Sequence, residues 1–245
     1  IDILYAGSSI HITNQPTIFR TYTGATFGIE LCEDVWAPEP PSTRLCLSGA
    51  DIIFNLSASD ELIGKHNYLC SLLSQQSART MSGYVYSSSG FGESTQDLVY
   101  GGNALIYENG NEVASSERFS FESQMVVAQI DYEMLRAERR NNTTFINAQR
   151  PTSLSHTLPQ VRFINCHSTQ IRDFVLERYV NPTPFIPASA DMKESCEEIF
   201  NIQVAGLAKR LVHTNCNTVV IGISGGLDST LALLVCVKTF DKLKL

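Results

Sequence analysis

The sequence lacks long hydrophobic runs and basic stripes. Its apolar stretches fall far short of the roughly 20 residues that a membrane-spanning helix needs. The 245 residues carry 18 Lys and Arg against 25 Asp and Glu, a net charge of −7, and this acidic balance does not suit a nucleic-acid-coating protein. Hydrophobic residues make up 43% of the chain, enough for a globular core. We therefore expect a soluble, cytoplasmic protein that binds neither membrane nor nucleic acid.

The sequence also lacks closely spaced metal ligands. Its cysteines are odd in number and nowhere approach the paired spacing of zinc or disulfide-redox motifs, which favours reduced thiols. The five histidines are scattered and form no ligand set. The cysteines lie at positions 32, 46, 70, 166, 196, 216 and 236, and the histidines at 11, 66, 156, 167 and 213.

A glycine-rich turn follows an apolar run near the end of the sequence. Residues 219–230 read Val-Val-Ile-Gly-Ile-Ser-Gly-Gly-Leu-Asp-Ser-Thr. The apolar residues 219–223 predict a buried parallel strand, and the apolar residues 231–237 predict a helix behind the turn. The turn would then lie at the carboxyl edge of a sheet, where the free N–H groups of the following helix favour an anion. The pattern predicts a nucleotide phosphate site.

The turn has no lysine where the common phosphate-binding loop needs one. It resembles instead the Ser-Gly-Gly-x-Asp-Ser loop of the ATP pyrophosphatases, which implies that it holds the pyrophosphate end of ATP. Asp228 would repel bare phosphate, so we expect a cation such as Mg²⁺ beside it. Alternatively, Asp228 only caps a helix and the glycines only make a turn. The predicted ATP-binding residues are Ser224, Gly225, Gly226, Leu227, Asp228, Ser229 and Thr230.

Cys32 ends a second apolar stretch. Residues 27–36 read Phe-Gly-Ile-Glu-Leu-Cys-Glu-Asp-Val-Trp. A cysteine at a strand end is well placed to act as a nucleophile, although a free cysteine is more often a small buried hydrophobe. The two acids that follow would raise the pKa of its thiol, so an active Cys32 needs a cationic partner from elsewhere in the protein.

Motifs along nearly the whole chain resemble the glutamine-dependent NAD synthetases. Those in the first part resemble the family's nitrilase-type glutaminase domain, and they occupy residues 32–38, 40–42, 55–59, 64–65, 76–79 and 92–95. Those in the second part resemble the start of the family's ATP-binding domain, and they occupy residues 184–187, 201–207 and 224–230. The coupling of two such modules is more specific than either motif alone.

The resemblance implies a reaction. Cys32 would attack the side-chain amide of glutamine and release ammonia through a thioester, while Ser59 and Lys65 would contact the glutamine substrate. The residues alone would favour a helix cap for Ser59 and a solvated helix face for Lys65. ATP would adenylate deamido-NAD, and ammonia would displace AMP to give NAD. The implied partners are glutamine, ATP with Mg²⁺, deamido-NAD and, in a homo-oligomer, further copies of the protein.

The resemblance also implies the fold. We expect part of a nitrilase-like αββα sandwich in residues 1–135, a proline-rich connector in 136–187 and the start of a Rossmann-like parallel α/β domain in 188–245. The predicted elements comprise strands, a hairpin turn and two helices. They are strands at 52–56, 84–86 and 125–130, a turn at Asn109-Gly110, a helix after Ser59 and a helix from Asp191.

The chain departs from the family in one respect. Nitrilase chemistry uses a glutamate and a lysine far upstream of the cysteine, but the first lysine here is Lys65, and Glu30 cannot be assumed to replace the missing base. We therefore expect an internal fragment of a longer synthetase that is inactive in isolation. Two alternatives stay open: a nitrilase-type amidase fused to a different ATP-pyrophosphatase amidotransferase, and a catalytically incomplete assembly or interaction module.

Overall fold

The protein folds into two compact units, the first of mixed helices and strands and the second mainly of helices. Their limits are Ile1–Arg178 and Tyr179–Leu245. The computed structural model describes residues 2–93, 97–150, 160–166, 174–187 and 191–245. The α/β class predicted from the sequence is confirmed, whereas the division into three segments stays a prediction.

The first unit is built around a mixed sheet of seven strands in its described part, beside a separate hairpin. The hairpin consists of β1 (Asp2–Tyr5) and β2 (Ser8–His11). The sheet contains β3 (Thr17–Arg20), β4 (Thr26–Leu31), β5 (Ile52–Ser57), β6 (Gly83–Ser88), β7 (Ala104–Glu108), β8 (Asn111–Ser115) and β9 (Arg162–Asn165). The order across the sheet is β8-β7-β6-β5-β4-β3-β9, and the central strands β4, β5 and β6 are parallel.

Helices follow the strands of the first unit. They are a 3-10 helix (Cys32–Trp36), α1 (Pro41–Leu47), α2 (Lys65–Thr80), α3 (Tyr132–Asn141) and α4 (Thr143–Ala148). Leu45 of α1 and Leu73 of α2 share one buried core with Ile53 and Tyr84 of the central strands. Alternate residues of a strand point to opposite faces, so the other face carries side chains such as Ile29, which is 42% exposed. The described residues thus form one sheet with helices on one face, which corresponds to one half of the expected αββα sandwich.

Several predicted elements are confirmed. The strands at 52–56 and 84–86 are β5 and β6, and the helix predicted after Ser59 is α2. The hairpin between β7 and β8 turns at Asn109 and Gly110, whose φ angles are 47° and 88°. Both angles are positive, as the tight turn of a hairpin requires.

The strand predicted at 125–130 is wrong. These residues form no strand and instead run along the surface of the unit, where Ile130 packs against Gly83 of β6. The amide side chain of Gln129 accepts from the backbone N–H of Glu177 and donates to the carbonyl of Val175. The segment at 125–130 thus makes these polar contacts through the side chain of Gln129 and not through the backbone hydrogen bonds of a strand.

The second unit consists mainly of two helices packed on each other. They are α5 (Met192–Thr214), which begins just after Asp191 as predicted, and α6 (Leu227–Leu243). Val204 of α5 is fully buried, and its carbonyl accepts a hydrogen bond from the hydroxyl of Thr239 on α6. None of the helices in the described part of the chain is long and apolar enough to cross a membrane.

The strand predicted at 219–223 is also wrong for this structure. Residues 215–224 form no strand, because no other described segment of the chain pairs with them. A strand is defined by a hydrogen-bonded neighbour and not by its own residues. The apolar, β-branched sequence therefore predicted only the element's local preference.

The basic run 136–150, predicted as connector, is helical and tied to the sheet. Arg136 of α3 donates to both carboxylate oxygens of Asp51, at 2.9 and 2.7 Å. Asp51 is 1% exposed and also accepts from the backbone N–H and hydroxyl of Thr26 at 2.8 and 2.7 Å. A buried carboxylate needs such partners, so this ion pair fixes α3 beside the start of β4.

We expect Arg136→Gln to destabilise the first unit by about 2 kcal/mol, because it leaves a buried carboxylate without its cation. The loss is smaller than for a fully buried pair, since Arg136 is 35% exposed. Urea unfolding followed by the fluorescence of Trp36, the one tryptophan, measures it. Exposed Arg140 is the matched control, and Arg140→Gln should change stability by less than about 0.5 kcal/mol. Equal effects of the two changes would contradict this account.

Candidate functional site

Cys32 lies where β4 gives way to the 3-10 helix. Its φ is 45°, in the left-handed region that non-glycine residues rarely occupy. The backbone N–H of the preceding Leu31 donates to Oδ2 of Asp34 at 2.7 Å, which fixes one of the two acids that follow the cysteine. Residues with such strained backbones gather at active sites. This conformation turns the chain at the strand end and is consistent with a nucleophile there.

The parallel strands bring further residues to the same edge. Leu31 of β4 pairs with Leu56 of β5, and Ser57 of β5 pairs with Ser88 of β6. Just past this edge, the backbone N–H of Ser59 donates to the hydroxyl of Ser88 at 3.4 Å. The predicted residues Cys32 and Ser59 therefore follow neighbouring strands at one end of the sheet.

Lys65 is the first residue of α2, and its ammonium group is held in place. It donates to the carbonyl oxygen of Asp60 at 2.8 Å and to its carboxylate at 2.9 Å. This hydrogen bond and the lysine charge hold the pKa of Asp60 below its usual value. The ammonium also lies 5.8 Å from the ring centroid of Trp36, the last residue of the 3-10 helix that Cys32 begins. Lys65 is thus near the same end of the sheet as Cys32.

Sequence reasoning missed two contributors here. Asp60, which holds Lys65, stands between the two predicted glutamine contacts, and an acid in that position was the available signal. Tyr68 of α2 stacks on Trp36 with ring centroids 5.6 Å apart. Residues 94 and 95 of the motif at 92–95, and the histidines at 156 and 167, lie outside the described residues.

Glu30 is not free to act as a base for Cys32. It is 2% exposed, and its carboxylate accepts from the backbone N–H of Ser42 at 2.7 Å and from the hydroxyl of Tyr84. Burial and the charge of Glu30 raise the pKa of Tyr84 far above its usual value, so the hydroxyl stays protonated. Glu30, two residues before the cysteine, is therefore part of a structural hydrogen-bond network.

The predicted phosphate loop precedes α6 in the second unit. Gly225 has a φ of 86°, and Gly226 is the residue that caps α6. The hydroxyl of Ser224 lies 3.3 Å from that of Ser229, and the hydroxyl of Thr230 donates to the carbonyl of Gly226 at 2.9 Å. The helix N-terminus is thus preceded by a left-handed glycine and hydroxyl groups, an arrangement that suits an anion.

Asp228 lies in the first turn of α6 and is exposed. Within the described residues its carboxylate has no hydrogen-bond or ion-pair partner, so it remains available to a cation. No cluster of three or more metal-ligating side chains occurs among those residues. All seven cysteines are free thiols.

These features define a mixed α/β protein with a candidate thiol nucleophile in one unit and a candidate phosphate loop in the other. The family model of NAD synthase matches residues 199–245. The chain is 38% identical over 243 residues, 98% of its length, to the glutamine-dependent NAD(+) synthetase of Mycobacterium bovis, and it covers 34% of that protein. It is related over nearly its whole length to the glutamine-dependent NAD(+) synthetases, and the resemblance seen in its motifs is confirmed.

Further proteins are similar to the chain. The Mycobacterium leprae protein of the same name is 39% identical over 221 residues, 89% of this chain and 32% of that protein. The chain thus spans about a third of the length of the curated relatives it matches. Among solved structures, a carbon-nitrogen hydrolase from Helicobacter pylori is 18% identical with a TM-score of 0.47, over 56% of this chain and 50% of that one.

We expect Cys32→Gly to be at least as stable as Cys32→Ala. At ordinary positions glycine is less stable than alanine by about 0.5–1 kcal/mol, but a left-handed φ reverses this preference. Urea unfolding followed by Trp36 fluorescence compares the two variants. If Cys32→Ala were the more stable by about 1 kcal/mol, the left-handed conformation would be wrong.

A glycine pair in the second unit gives a similar test. Gly225→Ala should destabilise that unit by about 1 kcal/mol, because alanine disfavours a φ of 86°. Gly206 lies inside α5 with open space where a side chain would be placed, so Gly206→Ala should stabilise it by about 0.5–1 kcal/mol. Circular dichroism at 222 nm during heating measures both changes. Shifts of the same sign would contradict the assigned loop conformation.

Proposed function

We propose that the protein is a glutamine-dependent NAD synthetase or the part of one that holds its glutaminase nucleophile and ATP loop. The observation that carries the proposal is Cys32, which has a left-handed backbone at a strand end, near the held Lys65. Support comes from 38% identity over 98% of the chain to proteins of that name. The remaining substrates and partners follow from this assignment.

In the proposed glutaminase step, the sulfur of Cys32 attacks the carbonyl carbon of the glutamine side-chain amide. The C–N bond breaks, the nitrogen takes a proton and leaves as ammonia, and a thioester remains. Water then attacks the thioester, releasing glutamate and restoring the thiol. Lys65 supplies the positive charge that suits the α-carboxylate of glutamine, and Ser59 lies close by at the same edge. The resemblance implies a lysine before the cysteine, but residues 1–31 contain none.

In the proposed synthetase step, the loop at 224–230 binds the pyrophosphate end of ATP. Its backbone N–H groups and hydroxyls would stabilise the negative charge on the leaving pyrophosphate as the deamido-NAD carboxylate is adenylated. Ammonia then displaces AMP and gives NAD. Asp228 would hold the Mg²⁺ of the ATP complex, which offsets phosphate charge. We further propose that the protein works in the cytoplasm and assembles as a homo-oligomer.

Two alternatives make different predictions. An amidase fused to another ATP-pyrophosphatase would use glutamine and ATP but aminate or thiolate a different acceptor. A catalytically incomplete assembly module would use neither. The 38% identity over 98% of the chain to a protein named glutamine-dependent NAD(+) synthetase spans both units and favours the NAD synthetase over either alternative.

In the full-length protein that contains this chain, we expect Cys32→Ala to lower glutamine-dependent NAD formation about 10³-fold or more and to spare the reaction with ammonium. Only the glutamine reaction needs the thiol. Asp228→Asn should lower both reactions, because both need ATP. The measurement is ATP-dependent conversion of deamido-NAD to NAD with each nitrogen donor.

Matched controls come from the same chain. Cys196→Ala removes an exposed thiol on α5, and Asp241→Asn removes an exposed carboxylate near the other end of α6; both should leave the two reactions unchanged. Absence of NAD formation from either donor in the unmodified protein would reject the proposal. ATP-dependent turnover of glutamine with another acceptor would then favour the other amidotransferase.

A further inference from the structure

A buried polar network lies directly beneath Cys32. It contains Glu30, Asn55 and Tyr84, which are 2%, 0% and 0% exposed. On the helix-covered face, Glu30 of β4 pairs with Asn55 of β5, and Tyr84 of β6 lies diagonally from Asn55, two residues before its register partner Tyr86. Buried polar groups on a sheet are unfavourable unless all are hydrogen-bonded, so a network of three in one place calls for a reason.

The hydrogen bonds of the network connect Asn55 to Cys32 on one side and to Tyr84 and Glu30 on the other. The amide nitrogen of Asn55 donates to the backbone carbonyl of Cys32 and to the hydroxyl oxygen of Tyr84, each at 3.4 Å. The hydroxyl of Tyr84 donates to the carboxylate of Glu30. The hydroxyl of Ser57 donates to the amide oxygen of Asn55 at 2.7 Å, which fixes which end of that amide faces Cys32.

The network contacts Cys32 at its backbone carbonyl, and the position of this carbonyl depends on the left-handed φ of Cys32. A left-handed φ at a residue with a side chain is unfavourable and persists only where its surroundings hold it. The carbonyl of Cys32 would otherwise turn away as the residue relaxed to an extended φ, and the sulfur would move with it. Among the described residues, Asn55 is the side chain that donates to this carbonyl.

We infer that Asn55 and Tyr84 are positioning residues, which hold the backbone of Cys32 so that its sulfur points into the glutamine site. Asn55 acts directly, and Tyr84 acts through Asn55, anchored in turn by the buried carboxylate of Glu30. The inference rests on the proposed role of Cys32 as nucleophile.

The electrostatics of the network are consistent with this role. Burial, and the nearby charge of Glu30, raise the pKa of Tyr84 far above its usual value. The hydroxyl therefore donates to Glu30 at every physiological pH and keeps its oxygen available to accept from Asn55.

Tyr84→Phe tests the inference, and Tyr86→Phe is its matched control. Tyr86 lies on the same strand and is 1% exposed, but its buried hydroxyl has no hydrogen-bond partner among the residues that the structure describes. Each change removes one buried hydroxyl, and only that of Tyr84 belongs to the network. Two readouts in the full-length protein are needed: kcat and KM for glutamine hydrolysis, and the rate at which iodoacetamide alkylates Cys32, followed by peptide mass spectrometry.

We expect Tyr84→Phe to lower kcat about 10- to 100-fold with KM nearly unchanged, since a small displacement of a reacting group has effects of this size. Alkylation of Cys32 should change rate in the same variant, and Tyr86→Phe should match the unmodified protein in both readouts. Equal behaviour of the two variants in kcat and in alkylation would overturn the inference. If Tyr84→Phe does not fold, Asn55→Ser, which withdraws the donor from Cys32, takes its place and the same outcomes decide.

The alkylation rate separates this inference from the proposed function, because it does not depend on glutamine. If the unmodified protein fails to hydrolyse glutamine while Tyr84→Phe alone alters alkylation of Cys32, the proposed function fails and the positioning role stands. If the unmodified protein hydrolyses glutamine and the two variants agree, the positioning role fails and the proposed function stands.

Discussion

The parallel pairing of β4, β5 and β6 is the constraint on which the rest of the first unit depends. Parallel strands end at the same edge, so whatever follows each strand meets there. Cys32 follows β4, Ser59 lies just beyond β5, and Ser88 ends β6. The same pairing places Glu30 beside Asn55, and Tyr84 diagonally from Asn55, on the covered face. The candidate site and the network beneath it are thus two consequences of one register.

Three carboxylates of this unit hold neighbouring groups in place through hydrogen bonds. Asp51 is buried with Arg136, Lys65 is held by the surface residue Asp60, and the buried Glu30 is held by two donors. Each carboxylate fixes something that the backbone alone would leave loose: a helix, the ammonium group of Lys65 or a strand end. Buried polar groups of this kind favour one arrangement only when all their partners are present.

The sequence pattern correctly predicted those elements whose conformation depends on the preferences of their own residues. The hairpin at Asn109-Gly110, the helix after Ser59 and the turn at Gly225 all follow from the conformations that their own residues favour. The strand at 219–223 was wrong because a strand needs a neighbour, and the strand at 125–130 was wrong because its polar groups found other partners. The contact between Lys65 and Asp60 was missed because α2 begins at the lysine and returns its side chain to the loop before it.

The two candidate sites each contain a residue with a left-handed φ, but this conformation has a different purpose in each. In the phosphate loop, a left-handed residue lets N–H groups face a ligand, and glycine supplies that conformation with no side chain in the way. At the end of β4 the side chain is itself the proposed nucleophile, so glycine could not serve. A cysteine there occupies an unfavourable φ, and neighbouring groups must compensate for its strain. The candidate phosphate loop therefore needs only its own sequence, whereas the proposed nucleophile depends, by our inference, on Asn55, Tyr84 and Glu30 from three parallel strands.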